Sequence, residues 1–217
     1  MSAPETRSLV VVSAGVGEPS STRLLADRIG VAVDRHLRDG GIEPRIQTIE
    51  LRPLAQDLAS HVLAGFAPPA LQAALDAVVA ADGVVAVTPI YSASYSGLFK
   101  LFFDLVDRDA FEGKPVLLAA TGGTGRHSLA IEHAMRPLFA YLKADSVPTG
   151  VYAATEDWGA NGAAGGVAME GGLAGRIDRA AAQLAGAIAS RPRTVPSDPF
   201  ADPLPFADLL PRRSSAG

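Results

Sequence analysis

"VVVSAGVGEPSSTRLLADR", Val10 to Arg28, decides the fold. A valine run enters a short glycine-containing loop, then a hydroxyl cluster, Ser20-Ser21-Thr22, then a pattern of helical period. The glycines match neither common phosphate loop. Ser20 stands where the dinucleotide fingerprint G-x-G-x-x-G needs its third glycine, and no Gly-Lys-Ser/Thr follows. The hydroxyls matter more. A helix N-terminus presents free N–H groups and the positive end of its dipole, which suits an anion. With hydroxyls around it, the loop suits a terminal monophosphate, whose oxygens need many donors. The alternative for Ser20–Thr22 is that they only cap the helix.

Working outward, three further apolar runs resemble Leu9–Ser13: Val84–Thr88, Val116–Thr121 and Val147–Thr155. They are valine-rich and mostly unalternating, as parallel strands covered on both faces are. Arg45–Leu51 alternates instead, which predicts an edge strand with one wet face. Helical segments separate these runs, so the chain reads as an α/β doubly wound sheet. Phe99, Phe102, Phe103 and Val106 follow helical spacing and predict a buried stripe, as do Leu173, Ile177, Leu184 and Ile188. The first helix opens at Ser21 or Thr22 and ends near Gly40-Gly41. Residues 1–191 form one domain. Residues 192–217, dense in Pro, Ser, Asp and Arg without periodicity, read as a tail, although Phe200, Leu204, Phe206 and Leu209 could dock.

Composition closes off several classes of chemistry. The 217-residue chain has no cysteine, which removes disulfides, thiolate metal sites and a cysteine nucleophile. Its four histidines, His36, His61, His127 and His133, include no pair at metal-ligand spacing. A net charge of -4 is too mild for a nucleic-acid partner. No apolar stretch has the length of a membrane span, and Leu9–Val12 is too short for a signal-peptide core. A cytoplasmic location is expected.

In an open parallel sheet, ligands bind beyond the carboxyl ends of the strands. The segments after the apolar runs are therefore the ones to read. Ser13–Arg23 is the first. Thr88–Gly97, "TPIYSASYSG", is the second; its proline and small residues expose backbone groups, and Tyr91 and Tyr95 suit the face of a planar ring. Thr121–His127, "TGGTGRH", is the third, and its glycines allow close backbone approach to a flat ligand. A helix N-terminus after that loop would add N–H donors. Ordinary strand–helix turns are the alternative for each, and His127 reads better as a cap or surface residue than as a catalytic one.

Three segments together carry a resemblance: Ser13–Arg23, "TPIYSASYSGLFKLFFD" (Thr88–Asp104) and "TGGTGRH". Over about residues 8 to 190 the sequence resembles the NADPH-dependent FMN reductases, flavodoxin-like proteins, and looks closest to their actinobacterial branch, an impression strengthened by "ATEDWG" (Ala154–Gly159). The resemblance implies a five-stranded parallel sheet in the order 2-1-3-4-5. It implies an NAD(P)H:FMN oxidoreductase with FMN and NADPH or NADH as cofactors. Ser13, Ser20, Ser21, Thr22 and Arg23 would hold the FMN phosphate, Pro89, Ile90, Tyr91 and Ser92 would border the ring, and Thr121, Gly122 and Gly123 would line its pyrimidine side. No side chain is assigned as catalytic, because hydride transfer between cofactors needs positioning more than acid–base help. A partner flavin-dependent monooxygenase and a homodimer or homotetramer are further implications. One departure stands out: Ala14-Gly15-Val16-Gly17 lacks the arginine that often follows the family's first loop serine. Quinone or azo reductase and flavodoxin-type electron carrier are the alternative readings.

Overall fold

The structure, a computed structural model, describes residues 5–158 and 172–192. The tail from 193 onward, with Phe200, Leu204, Phe206 and Leu209, and Gly159 of the "ATEDWG" segment lie outside the described residues. Parallel strands β1 (Glu5–Ser13), β2 (Ile42–Glu50), β3 (Gly83–Tyr91) and β5 (Pro115–Gly122) form the body of the sheet. A short β4 (Ser94–Tyr95) folds back antiparallel onto β3. The last strand is split into β6 (Asp145–Ser146) and β7 (Val151–Ala154), both paired with β5. The order β2-β1-β3-β5-β6 is the expected 2-1-3-4-5 once the hairpin strand is set aside.

Helices cover both faces, which is why the strands read as unbroken apolar runs. Val10 and Val12 of β1, Val84 and Ala86 of β3, and Leu118 and Ala120 of β5 pack under α2 (Ala55–Ala64), α3 (Pro69–Ala80), α4 (Gly97–Asp104) and α5 (Arg136–Tyr141). Their neighbours Leu9, Val11, Val85, Val87, Leu117 and Ala119 pack under α1 (Ser21–Asp39) and α6 (Leu173–Ser190). β2 lies at the edge, as its sequence predicts, but the expected alternation is only partial: Ile42, Pro44 and Ile49 are buried, while Arg45, Ile46 and Gln47 are all exposed. The α4 phenylalanines and the α6 aliphatic stripe are buried; Val106 is buried too, but just past the end of α4.

Three local readings need correction. β3 does not stop at Thr88. It runs through Pro89 to Tyr91, because β1 pairs with it only as far as Val87 and the missing proline N–H is lost from an unpaired edge. The Thr88–Gly97 segment is thus a strand end and a hairpin, turned at Ser92 and Ala93 with positive φ of 49° and 65°. The predicted strand Val147–Thr155 is interrupted around Pro148. The third loop itself ends in a short 3₁₀ turn (Gly125–His127), and a wide π turn (Ile131–Met135) follows it. No α-helix N-terminus abuts the third loop, since α5 begins only at Arg136, beside Pro137, which has no N–H for the preceding turn.

No single helix among the described residues is long and apolar enough to cross a membrane. At the far end of the sheet, Lys114 is 2% exposed, and its ammonium donates to the carbonyls of Val78 and Val79 at 2.7 Å each. Burial pulls its pKa down from 10.5 to about 8, with Arg191 adding to the effect and Asp82 opposing it. A neutral amine still has two N–H groups for the two carbonyls. Because the unfolded chain holds this proton more tightly, stability rises with pH between about 8 and 10.5, by about 3 kcal/mol from this group. Lys114→Met should lose that rise, read as the difference between the two proteins' denaturation midpoints across the interval. Parallel pH profiles would refute it.

Candidate functional site

The strand order reverses at β1: the chain leaves β1 for β2 on one side, then crosses over to β3 on the other. The crevice above β1 and β3 is the switch point where such sheets bind ligands. A cavity of about 400 Å³ lies there, lined by Val16, Gly17, Pro19, Ser20, Ser21, Thr22, Pro89, Ile90, Tyr91, Thr121, Gly122, Gly123, Thr155 and Trp158. Nine of the twelve residues expected at the site therefore share one cavity: Ser20–Thr22, Pro89–Tyr91 and Thr121–Gly123. A groove of about 800 Å³ between α1 and α6 is larger, but it lies along Asp27–Arg35 and Ala174–Arg179, on the helices and away from the strand ends.

Three expected residues stand elsewhere. Ser13 is 1% exposed and sits beneath the first loop rather than on the cavity wall. Ser92 is at the exposed hairpin tip. Arg23 lines a neighbouring cleft, with its guanidinium on Asp27 at 2.8 Å and also bonded to Glu50. These two carboxylates hold its pKa above the usual arginine value, through the Asp27 hydrogen bond first. Tyr95 turns inward against Phe99, at 5.7 Å between ring centroids, leaving Tyr91 as the tyrosine on the cavity.

The first loop is shaped by its glycine and its cap. A Cβ on Gly15 would lie 2.1 Å from Ser20 Oγ and 2.9 Å from Thr22 Cβ, so only glycine lets the loop close onto the first turn of α1. Ser20 Oγ accepts from Arg23 N–H and Ser20 C=O accepts from Leu24 N–H. The capping reading thus describes Ser20. The N–H groups of Ser21 and Thr22 have no intrahelical acceptor and point out of the first turn. Thr22 Oγ1 is occupied: it shares a buried 2.8 Å hydrogen bond with Thr121 Oγ1, tying the first loop to the third.

The second and third loops are pinned as well. Thr88 Oγ1 accepts from Ser96 N–H at 3.0 Å, closing the hairpin base, and Ser96 caps α4 by accepting from Phe99 N–H. In the third loop, Tyr152 Oη donates to the Thr124 carbonyl at 2.8 Å. Burial, with Glu156 and Asp157 nearby, raises the pKa of this phenol, so it remains a donor. None of Gly122, Gly123 and Gly125 has positive φ; glycine is required at Gly122 by close approach, since a Cβ there would lie 2.0 Å from Tyr152 Oη. A Cβ on Gly123 would meet nothing within 4 Å.

Among the described residues, the lining contains no charged one. A phosphate here would rest on backbone N–H groups, hydroxyls and the α1 dipole, without a cation. Pro89, Ile90, Tyr91 and Trp158 supply apolar surface for a ring, and the open side of Gly123 leaves room for it. This donor set fits a flavin mononucleotide. Arg23→Gln should therefore change FMN affinity by less than about twofold, because an exposed arginine already answered by two carboxylates adds little at a distance. A tenfold loss in a binding titration would place a positive charge back at the phosphate.

Thr155 and Trp158 were not among the expected site residues. Both follow the last strand, so the strand-end rule that selected the other loops also applied to them. Trp158 is the chain's one tryptophan, and the Arg28 guanidinium lies 5.1 Å from its ring. Among the described residues, no cluster of His, Asp or Glu could hold a metal ion.

Comparison with known proteins points the same way. Residues 8–159 match the NADPH-dependent FMN reductase family. The chain is 41% identical over 150 residues to an FMN reductase (NADPH) of Pseudomonas aeruginosa, covering 69% of this chain and 78% of that one. It is 41% identical over 146 residues to the NADH-dependent FMN reductase SfnE of Pseudomonas putida, covering 67% and 76%. Among solved structures, an oxidoreductase from Corynebacterium diphtheriae superposes with a TM-score of 0.79 at 44% identity, over 87% of this chain and all of that one. The apo form of the NADH:FMN oxidoreductase EmoB superposes with 0.72 at 28% identity, over 86% and 92%.

Proposed function

The chain belongs to the NADPH-dependent FMN reductase family, and from that membership we propose that it reduces FMN with NADPH or NADH and releases the reduced flavin to a flavin-dependent monooxygenase. The observation that carries this is the cavity over β1 and β3, without a charged side chain among its described lining residues, with helix-terminal N–H groups at one end and apolar ring surface at the other. When bound there, FMN accepts the hydride that the nicotinamide supplies. The protein's share is positional. Ser21 and Thr22 hold the phosphate with backbone N–H groups, and the Ser20 and Ser21 hydroxyls flank it. Pro89, Ile90 and Tyr91 exclude water along one edge of the ring. Thr121–Gly123 brings backbone within reach of the pyrimidine side. Ser13 and Arg23 support the loop from outside the cavity.

The relatives' names include both nicotinamide coenzymes, so the coenzyme is left as NADPH or NADH. Exposed Val62, Leu63 and Phe66, at and just after the end of α2, offer apolar surface for a homodimer or homotetramer. A cytoplasmic site of action accords with the reading. The test is anaerobic oxidation of each coenzyme with FMN, FAD and riboflavin as acceptors. FMN should be reduced fastest and should exchange freely, and its binding should quench Trp158 emission. Absence of flavin-dependent coenzyme oxidation would reject the reductase reading; FMN that co-purifies and does not exchange would favour a quinone or azo reductase with a resident flavin.

A further inference from the structure

The third loop is held from both faces of the sheet. From the α1 face, Thr22 Oγ1 grips Thr121 Oγ1. From the opposite face, Tyr152 on β7 reaches past Gly122 to the Thr124 carbonyl. Gly122 stands between the cavity and this phenol: its backbone lines the cavity, and the space a side chain would take is filled by Tyr152. Gly123, one residue on, faces open space. Tyr152 is 8% exposed and lines no part of the cavity, so it meets the ligand only through the loop.

We propose that Tyr152 is a positioning residue for the flavin: its hydroxyl, bonded to the Thr124 carbonyl and seated against Gly122, sets the height of the Thr121–Thr124 backbone along the ring. This rests on the flavin reading of the cavity. A phenylalanine would fill the same core volume and cap nothing, so the hydroxyl is the feature that the core alone does not require. The glycine at 122 is its steric complement. With both clamps in place, the loop meets the ring already ordered, and binding does not have to order it.

Tyr152→Phe keeps the packing and removes one hydrogen bond. FMN and riboflavin should weaken equally, by about three- to tenfold, because the lost contact acts at the ring and not at the phosphate. The absorption spectrum of the bound flavin should shift, and a purely structural role would lower the melting temperature without moving it. Gly122→Ala should weaken FMN by about tenfold in the wild-type background, and by about twofold or less when Tyr152→Leu has vacated the space, since touching residues do not act additively. Affinities are read by quenching of flavin fluorescence, so no turnover is needed. Unchanged flavin affinity and spectrum in Tyr152→Phe would overturn the proposal, as would Gly122→Ala losses that simply multiply with those of Tyr152→Leu. If the wild type itself fails to bind FMN, the flavin reading falls and this inference with it; tight wild-type binding with an indifferent Tyr152→Phe rejects only the role of Tyr152.

Discussion

Gly123→Val should reduce FMN affinity on the order of a hundredfold, about 2.8 kcal/mol, while leaving the fold intact. The two halves of this expectation come from one observation. A Cβ at this position meets no protein atom within 4 Å, and φ is not in the left-handed region, so the variant has no steric reason to unfold. Its stability should stay within about 0.5 kcal/mol of wild type, as for surface changes generally. Gly123 also lines the cavity, so an isopropyl group there is expected to enter the volume the ring would occupy. Riboflavin should lose as much as FMN. Gly122 is a poorer probe than its neighbour, because a side chain there collides first with Tyr152 and only indirectly with the ligand. Wild-type FMN affinity in a normally folded Gly123→Val protein would remove the third loop from the site.

Ser21→Pro should separate the phosphate from the ring. Ser21 is the first helical residue of α1, where proline fits without breaking the helix. The preceding Ser20 has φ -107° and ψ 115°, an extended conformation that a following proline favours. The capping bonds from Arg23 N–H and Leu24 N–H to Ser20 remain available. What disappears is the Ser21 N–H and its exposed hydroxyl. Each charge-assisted hydrogen bond lost to a phosphate costs roughly 1.5–3 kcal/mol. FMN should therefore weaken by at least about tenfold, with riboflavin unaffected and the melting temperature nearly constant. Equal weakening of both flavins, or none, would mean that the first turn of α1 does not hold the phosphate. The contrast with Gly123→Val is diagnostic: one variant discriminates between the two flavins and the other does not.

Which features were readable beforehand follows the range of the forces involved. Unalternating valine runs announce strands buried on both faces; β3 and β5 are buried in this way along almost their whole length, and β1 from Leu9 to its end. The alternation in Arg45–Leu51 announces an edge, and β2 is one. Loops after strand ends are where an open parallel sheet binds ligands, so reading them found three sides of the cavity from local pattern alone. The same rule extended to the last strand would have found Thr155 and Trp158. The 3₁₀ turn that ends the third loop, the π turn after it where an α-helix start was expected, the run of β3 to Tyr91 and the break at Pro148 were not readable from local pattern.

The chain's own pattern thus determined the fold class, the edge strand and the three loops that meet at the site, because periodicity and turn chemistry act over a few residues; the strand order came from the family resemblance. Tertiary structure decided what each side chain in those loops does. Thr22 reads as a phosphate donor in isolation, yet its hydroxyl is bonded to Thr121, 99 residues away. Arg23 reads as the cation of the loop until Glu50, at the end of another strand, takes its guanidinium. Gly122 reads as a point of close backbone approach to a flat ligand, and the close approach that requires a glycine there is that of Tyr152, which arrives from β7 to fill its side-chain space. Partners so distant in sequence leave no periodic trace: a hydroxyl or guanidinium commits to whichever group the folded sheet brings within about 3 Å, and only the completed packing says which group that is.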